Sequence, residues 1–200
     1  MFLGLGNRLE LPGNVCACAR HGFAPPGWPT FSLIGLFWPE SSPDKARHSL
    51  RQALYVLRKE VGSGALRTRG NEEVGIDPSV IACDAARFQL LARSGGAADA
   101  MEQYGGELLP GFYVDDAPEF ERWLDVERVR LRRLAAQLCW NLVEEAGQRG
   151  DHLRAVRHAR KAVDLDPFDE TALHRLIELL GRTFDQPAAE SPKPPQGPPS

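Results

Sequence analysis

The chain has 200 residues, enough for one large domain or two small ones, each with its own core. Hydrophobic residues make up 42% and charged residues 26%, ordinary proportions for a soluble globular protein, and the longest apolar run, Phe31 to Trp38, is too short to cross a bilayer. The formal net charge of −3 is neutral on the question of nucleic acid, but its distribution is not.

From Pro43 to Gly70 seven basic residues stand against two acids, Asp44 and Glu60, so a block of local charge +5 sits in a chain that is otherwise −8. Such an asymmetry points to a polyanionic partner. No basic segment followed by an apolar one marks a secretory signal. The four cysteines (Cys16, Cys18, Cys83 and Cys139) are scattered, so a cytoplasmic protein with free thiols is expected.

Residues 1–30 are broken by glycines and prolines and show no period of 2 or 3.6, which predicts disorder. Cys16, Cys18 and His21 lack a second pair of ligands at usable spacing, so no metal site is expected. Phe31 to Trp38 reads as a short apolar helix capped by Ser32. Pro39 to Asp44 supplies a turn, with Ser42 or Asp44 as the next cap and Pro43 in the first turn. A second helix from Lys45 to Val61 carries Ala46, Leu50, Ala53, Leu54, Leu57 and Val61 as its apolar stripe and stops at Gly62 and Gly64. Ala65 to Arg69, a Gly70-Asn71 turn and Glu72 to Asp77 read as a hairpin. Beyond Pro78 the pattern is helical: Asp84–Arg93, Ala97–Tyr104, Pro118–Ala146, His152–Asp164 and Asp169–Arg182, with Leu108 to Phe112 as a loop of apolar anchors. After Gln186 six prolines predict a disordered tail. The fold class expected is mainly α, a partial winged helix-turn-helix (31–82) followed by a tetratricopeptide-like helical domain (83–185).

Helix, tight turn, helix and hairpin is the order of a winged helix-turn-helix, whose second helix buries one face and offers the other to the major groove. Once the apolar stripe is set aside, Arg47, His48, Arg51, Gln52, Tyr55, Arg58 and Lys59 remain. Arg47, Arg51, Tyr55 and Arg58 form one line along the helix. Arginine reads guanine, glutamine reads adenine, and both arginine and lysine grip phosphates. Arg67, Thr68, Arg69 and Asn71 lie at the hairpin tip. An ordinary surface helix mixes signs, whereas here the only acid near the line is Glu60, at its end.

The run from Leu36 to Leu54 (LFWPESSPDKARHSLRQAL), with Leu57–Val61 (LRKEV), resembles the helix-turn-helix of the antibiotic regulatory protein (SARP) type, whose DNA-binding part is an OmpR/PhoB-like winged helix. Tyr104–Phe112 (YGGELLPGF), Ala117–Leu124 (APEFERWL) and Glu127–Leu131 (ERVRL) resemble the bacterial transcriptional activator domain that follows it in that family. The resemblance covers Phe31 to Ala189. It implies activation of transcription from repeated promoter sites in double-stranded DNA, with RNA polymerase and a second copy of the chain as further partners. Residues 1–30 do not resemble the family's opening sheet and first helix, and the helical domain turns proline-rich early, so the chain is expected to be incomplete at both ends.

The helical half carries one repeat signal: Gly150, Asp151, Ala155, Ala162, Asp166 and Pro167 have tetratricopeptide spacing, and a 34-residue step maps Gly150 to Phe184, Asp151 to Asp185 and Ala155 to Ala189. No nucleophile elbow, zinc-protease helix or phosphate loop occurs, and His152, His158 and His174 are spread over separate helices with exposure expected, so neither an enzyme nor a cofactor is expected. Acids and arginines alternate from Glu119 to Arg132, consistent with i,i+4 pairing. The competing reading is a tetratricopeptide-like protein-interaction module with a vestigial, non-binding winged helix.

Overall fold

The computed structural model describes residues 27–184. The fold is mainly helical with one small sheet, in the order β1 (Trp28–Pro29), α1 (Thr30–Phe37), α2 (Pro43–Val61), β2 (Leu66–Arg69) and β3 (Glu73–Ile76). Then come α3 (Asp84–Arg93), α4 (Ala97–Gln103), α5 (Pro118–Gln148), α6 (His152–Leu165) and α7 (Glu170–Phe184). Backbone contacts divide it into two compact units whose boundary falls within α5, between Leu138 and Cys139, rather than at the 82/83 junction where the motifs change.

The helices α1 and α2 form where periodicity places them. Pro43, with its fixed φ and no N–H, opens α2, and Gly62 closes it at φ +95°, donating its N–H to the Arg58 carbonyl. The start of α1 differs from expectation. Ser32 lies inside the helix and caps nothing; Pro29 precedes the first turn without a side-chain cap. Thr30 takes that place by hooking onto the hairpin loop, its N–H donating to the Glu72 carbonyl at 2.7 Å and its hydroxyl to the Asn71 carbonyl at 2.7 Å.

The sheet has the order β1-β3-β2 with both pairs antiparallel. Arg69 opposes Glu73, so the hairpin loop has three residues, Gly70 to Glu72, instead of the two expected, and Gly70 supplies the positive φ of +57°. Trp28 and Pro29 pair with Val74 and Glu73, so the last residues of the stretch predicted to be disordered are an edge strand, a position that tolerates proline. Just before it, Gly27 runs so close to β3 that a Cβ there would lie 2.8 Å from the Val74 carbonyl carbon. The remainder of the stretch, and the tail after Phe184 with the repeat positions Asp185 and Ala189, lie outside the described residues.

The first unit is held together by aromatic side chains on the opening turns of α5. Phe120, 2% exposed, stacks on Phe37 with ring centroids 4.8 Å apart, and Trp28 meets Trp123 edge to face at 5.8 Å. Leu109, Ala117 and Leu124 complete this core, with Leu36, Leu108 and Val114 at its margin. Leu109 is the deep anchor of the expected apolar loop, and it is held in the left-handed region at φ +51°. Arg128 secures that loop by donating to the Leu108 carbonyl at 2.9 Å and the Leu109 carbonyl at 2.6 Å. Farther along, buried Glu127 pairs with Arg130 at 2.7 Å, and Arg130 donates to Gln89 of α3 at 2.9 Å. The α5 pairs Glu119–Arg122, Asp125–Arg128 and Glu127–Arg130 have i,i+3 spacing rather than the i,i+4 spacing expected.

Cys83 is disulfide-bonded, which corrects the expectation of free thiols; Cys139 is free and buried.

In the second unit, Gly150 (φ +73°) turns the chain out of α5, and Asp151 caps α6 by accepting the Arg154 N–H at 2.9 Å. Ala155, Ala159 and Ala162 form the buried stripe of α6, and Ala172 is the buried residue of α7, small side chains that let helices approach closely. Arg175 of α7 lies over the Trp140 ring at 4.1 Å and reaches Glu144 at 3.5 Å.

If the ring stack fixes α1, Phe120→Ala will cost about 3–5 kcal/mol in chemical denaturation. Amide exchange in α1 and β1 will accelerate, while α6 and α7 keep their protection. Phe31→Ala, at a ring 76% exposed, will stay within about 0.5 kcal/mol of wild type.

Candidate nucleic-acid interface

The α2 helix buries Ala46 and Leu50, with Ala53, Leu54 and Val61 half-covered, whereas Leu57 is 37% exposed. Positions 47, 51, 55 and 58 are helical neighbours of 50 and 54. Arg47, Arg51, Tyr55 and Arg58 therefore share a face with apolar side chains. Together with Phe31 and Ile34 of α1, Trp38 just after it, and Thr68, Asn71 and Val74 of the hairpin, they line a groove of about 1230 Å³. Arg47, Arg51 and Tyr55 are exposed and Arg58 is half-buried, so the predicted line along the helix is the cationic wall of a partly apolar groove. Arg47 also meets Asp44 at 3.5 Å, in a pair whose side chains are 61% and 99% exposed, an arrangement worth little.

His48, Gln52 and Lys59 are exposed on α2 but lie off the groove. Thr68 lies on the groove wall, while Arg69, at the end of β2, is exposed beyond it.

Arg67 has a different employment. Its Nε and Nη2 both donate to Asp77 Oδ2, at 2.9 and 2.7 Å, which clamps the base of the hairpin. The Asp77 side chain is only 14% exposed and also accepts the Ser79 hydroxyl at 2.6 Å and the Ser79 N–H at 2.9 Å. Those two bonds, and then the Arg67 guanidinium, hold the Asp77 carboxyl down at about 2 against an ordinary 3.8. Spacing alone does not show this clamp, because it depends on the three-residue loop that sets Arg67 opposite Gly75, two residues from Asp77.

Two acids were missed by counting charge only as far as Gly70. Glu72 and Glu73 also line the groove, on the hairpin side, opposite the α2 arginines. The groove therefore has a basic wall and an acidic wall.

Among the described residues no group of three or more histidine, cysteine or acidic side chains is placed to hold a metal ion. Cys16, Cys18 and His21 lie outside those residues. Nor, among the described residues, is any helix long and apolar enough to cross a membrane. His174 is exposed and meets Glu178 at 3.4 Å, whereas His152 and His158 are half-buried rather than exposed.

Residues 82–191, more than half of the chain, match the model of a family described as the bacterial transcriptional activator domain. No curated protein matches the chain.

The Asp77 clamp has a pH signature. Because the folded carboxyl titrates near 2 and the unfolded one near 3.8, its stabilisation is full above about pH 4 and drains away as pH falls towards 2. Thermal midpoints measured from pH 5 to pH 2 will fall more steeply for wild type than for Asp77→Asn. Parallel curves would show that the clamp contributes nothing.

Proposed function

The chain belongs to the bacterial transcriptional activator domain family, and from that premise we propose that it is a sequence-specific, DNA-binding transcriptional activator. The family is regulatory rather than enzymatic. Residues 31–82 are the recognition part, a partial winged helix, and residues 83–185 the regulatory part. The observation that carries this reading is α2, a helix closing on a hairpin that presents Arg47, His48, Arg51, Gln52, Tyr55 and Lys59 to solvent beside half-buried Arg58. Arg51 and Gln52 are the side chains suited to base edges, Arg47, Arg58 and Lys59 those suited to phosphates. At the hairpin, Thr68 and Arg69 reach the backbone, and Arg67 contributes by holding the wing in shape. Promoter DNA is the partner in the cytoplasm, with RNA polymerase and a second copy of the chain at the helical part.

A second reading has residues 83–185 as a tetratricopeptide-like protein-interaction module beside a vestigial, non-binding winged helix. The acidic wall at Glu72 and Glu73, which opposes a duplex at the groove, favours it.

Selection from a pool of random duplexes separates the two. The wild type will enrich a recurring motif, and Arg47→Glu/Arg51→Glu will lose the enrichment while keeping wild-type helical content, since neither side chain is in the core. A wild type that enriches nothing would leave the second reading standing.

A further inference from the structure

Helices of this chain treat their cations in two ways. Along α5, arginines sit beside acids, as in Arg122–Glu119 at 2.8 Å and Arg130–Glu127 at 2.7 Å. On α6 they do not. Arg154, Arg157, Arg160 and Lys161 are all exposed, and among the described residues none of the four is held in an ion pair. Arg154, Arg157 and Lys161 follow at i, i+3 and i+7, on the side opposite the buried stripe of Ala155, Val156, Ala159 and Ala162. They form a run of like charge about 10 Å long, between Asp151 one turn before it and exposed Asp164 one turn after it.

His158 registers the field of that face from its flank. Burial pushes its imidazole below the ordinary range, and Arg154, Arg157 and Lys161 push it further down, against a smaller opposing pull from Asp151.

We propose that the outward face of α6 is a second nucleic-acid contact, independent of α2, which grips backbone phosphates through Arg154, Arg157 and Lys161 without reading sequence. The inference rests on the reading of the chain as a DNA-binding protein. An acidic polypeptide is the less suitable partner, because protein interfaces centre on buried apolar or aromatic anchors and this face has only Leu153 to offer, at 72% exposure. Phosphates need cations alone, and a duplex presents one charge per ~1.7 Å of its axis.

The test uses the full chain and a duplex of about three helical turns and arbitrary sequence, with binding followed by anisotropy over a range of salt. Arg157→Gln/Lys161→Gln will weaken binding several-fold and flatten the slope of log affinity against log salt by about 1.8, at about 0.9 per phosphate contact. Arg154→Gln/Arg157→Gln is the second variant and will do the same; both alter exposed side chains, and circular dichroism checks that each is folded. In the wild type, adding duplex will raise the His158 pKa, read from its ring signals, as phosphates offset the cations.

Unchanged affinity and slope in both variants would overturn the inference while leaving motif enrichment through α2 intact. Loss of enrichment in the α2 variant with α6-dependent binding retained supports it. A wild type that ignores the duplex but binds poly-glutamate through α6 would overturn it in favour of an acidic protein partner.

Discussion

The stack of Phe37 on Phe120 and the edge contact of Trp28 with Trp123 are the contacts on which the first unit depends. The eight residues of α1 contain no buried residue. A helix that short does not persist alone, since nucleation costs more than two turns of hydrogen bonds return. It holds because two ends of a small structure are fixed: Thr30 is tied to the hairpin loop, and Phe37 lies on α5. Aromatic pairs add roughly 0.5–1.5 kcal/mol beyond the area they bury, so two of them are a substantial part of what a small domain has. The consequence is a unit boundary inside α5. The opening of α5, although matched to the activator-domain family, serves as the floor on which α1 and β1 rest.

That anchoring also decides what the candidate interface looks like. With α1 held at its hydrophobic end, the side of α2 bearing Leu50 and Leu54 faces α1 and the hairpin across a groove rather than a sealed core. Apolar side chains left in water forgo roughly 1.5–3 kcal/mol each, so the open groove is a cost to the free chain. The hairpin opposite is stiffened by Arg67 on Asp77. Under the proposed function, rigidity there matters more to recognition than one extra cation at the tip would, because a hairpin that holds its shape loses less entropy on binding.

The helices were the legible part of the sequence. Asp84–Arg93 has the predicted ends in the structure, where the Cys83 side chain accepts the Ala86 N–H at its start. Gly62 ends α2 as predicted, and Asp151, one of the repeat positions, caps α6. The strand Trp28–Pro29 was not legible, since two residues have no alternation and their pairing to Val74 and Glu73 is a tertiary event 44 or more residues away. The misplaced cap at Ser32 has the same origin. A local rule favours serine, but Thr30 has the hairpin loop to bond to, and that interaction is invisible until β3 is in place. For the site, the face shared by Arg47, Arg51, Tyr55 and Arg58 was readable from spacing. The acids across the groove and the commitment of Arg67 depended on the strand register.

Electrostatics sorts the elements by a simple criterion. Where arginines stand one turn from acids, as along α5, each pair contributes a few tenths of a kcal/mol and leaves little field outside. Where cations stand one turn from cations, as at Arg154 and Arg157 or at Arg47 and Arg51, the same geometry costs a similar amount in the free protein. A folded chain keeps such runs at the expense of its own stability, and the cost is relieved only when an anion approaches. Binding of a polyanion to the folded form would then also stabilise it, by RT ln(1 + [L]/Kd), about 2.7 kcal/mol at a hundredfold excess over Kd. Under the proposed function, the open groove and the unpaired cations have one remedy in common. Both are features of a chain that is less comfortable alone than in its complex, and the two runs of like charge lie on α2 and α6, one in each compact unit.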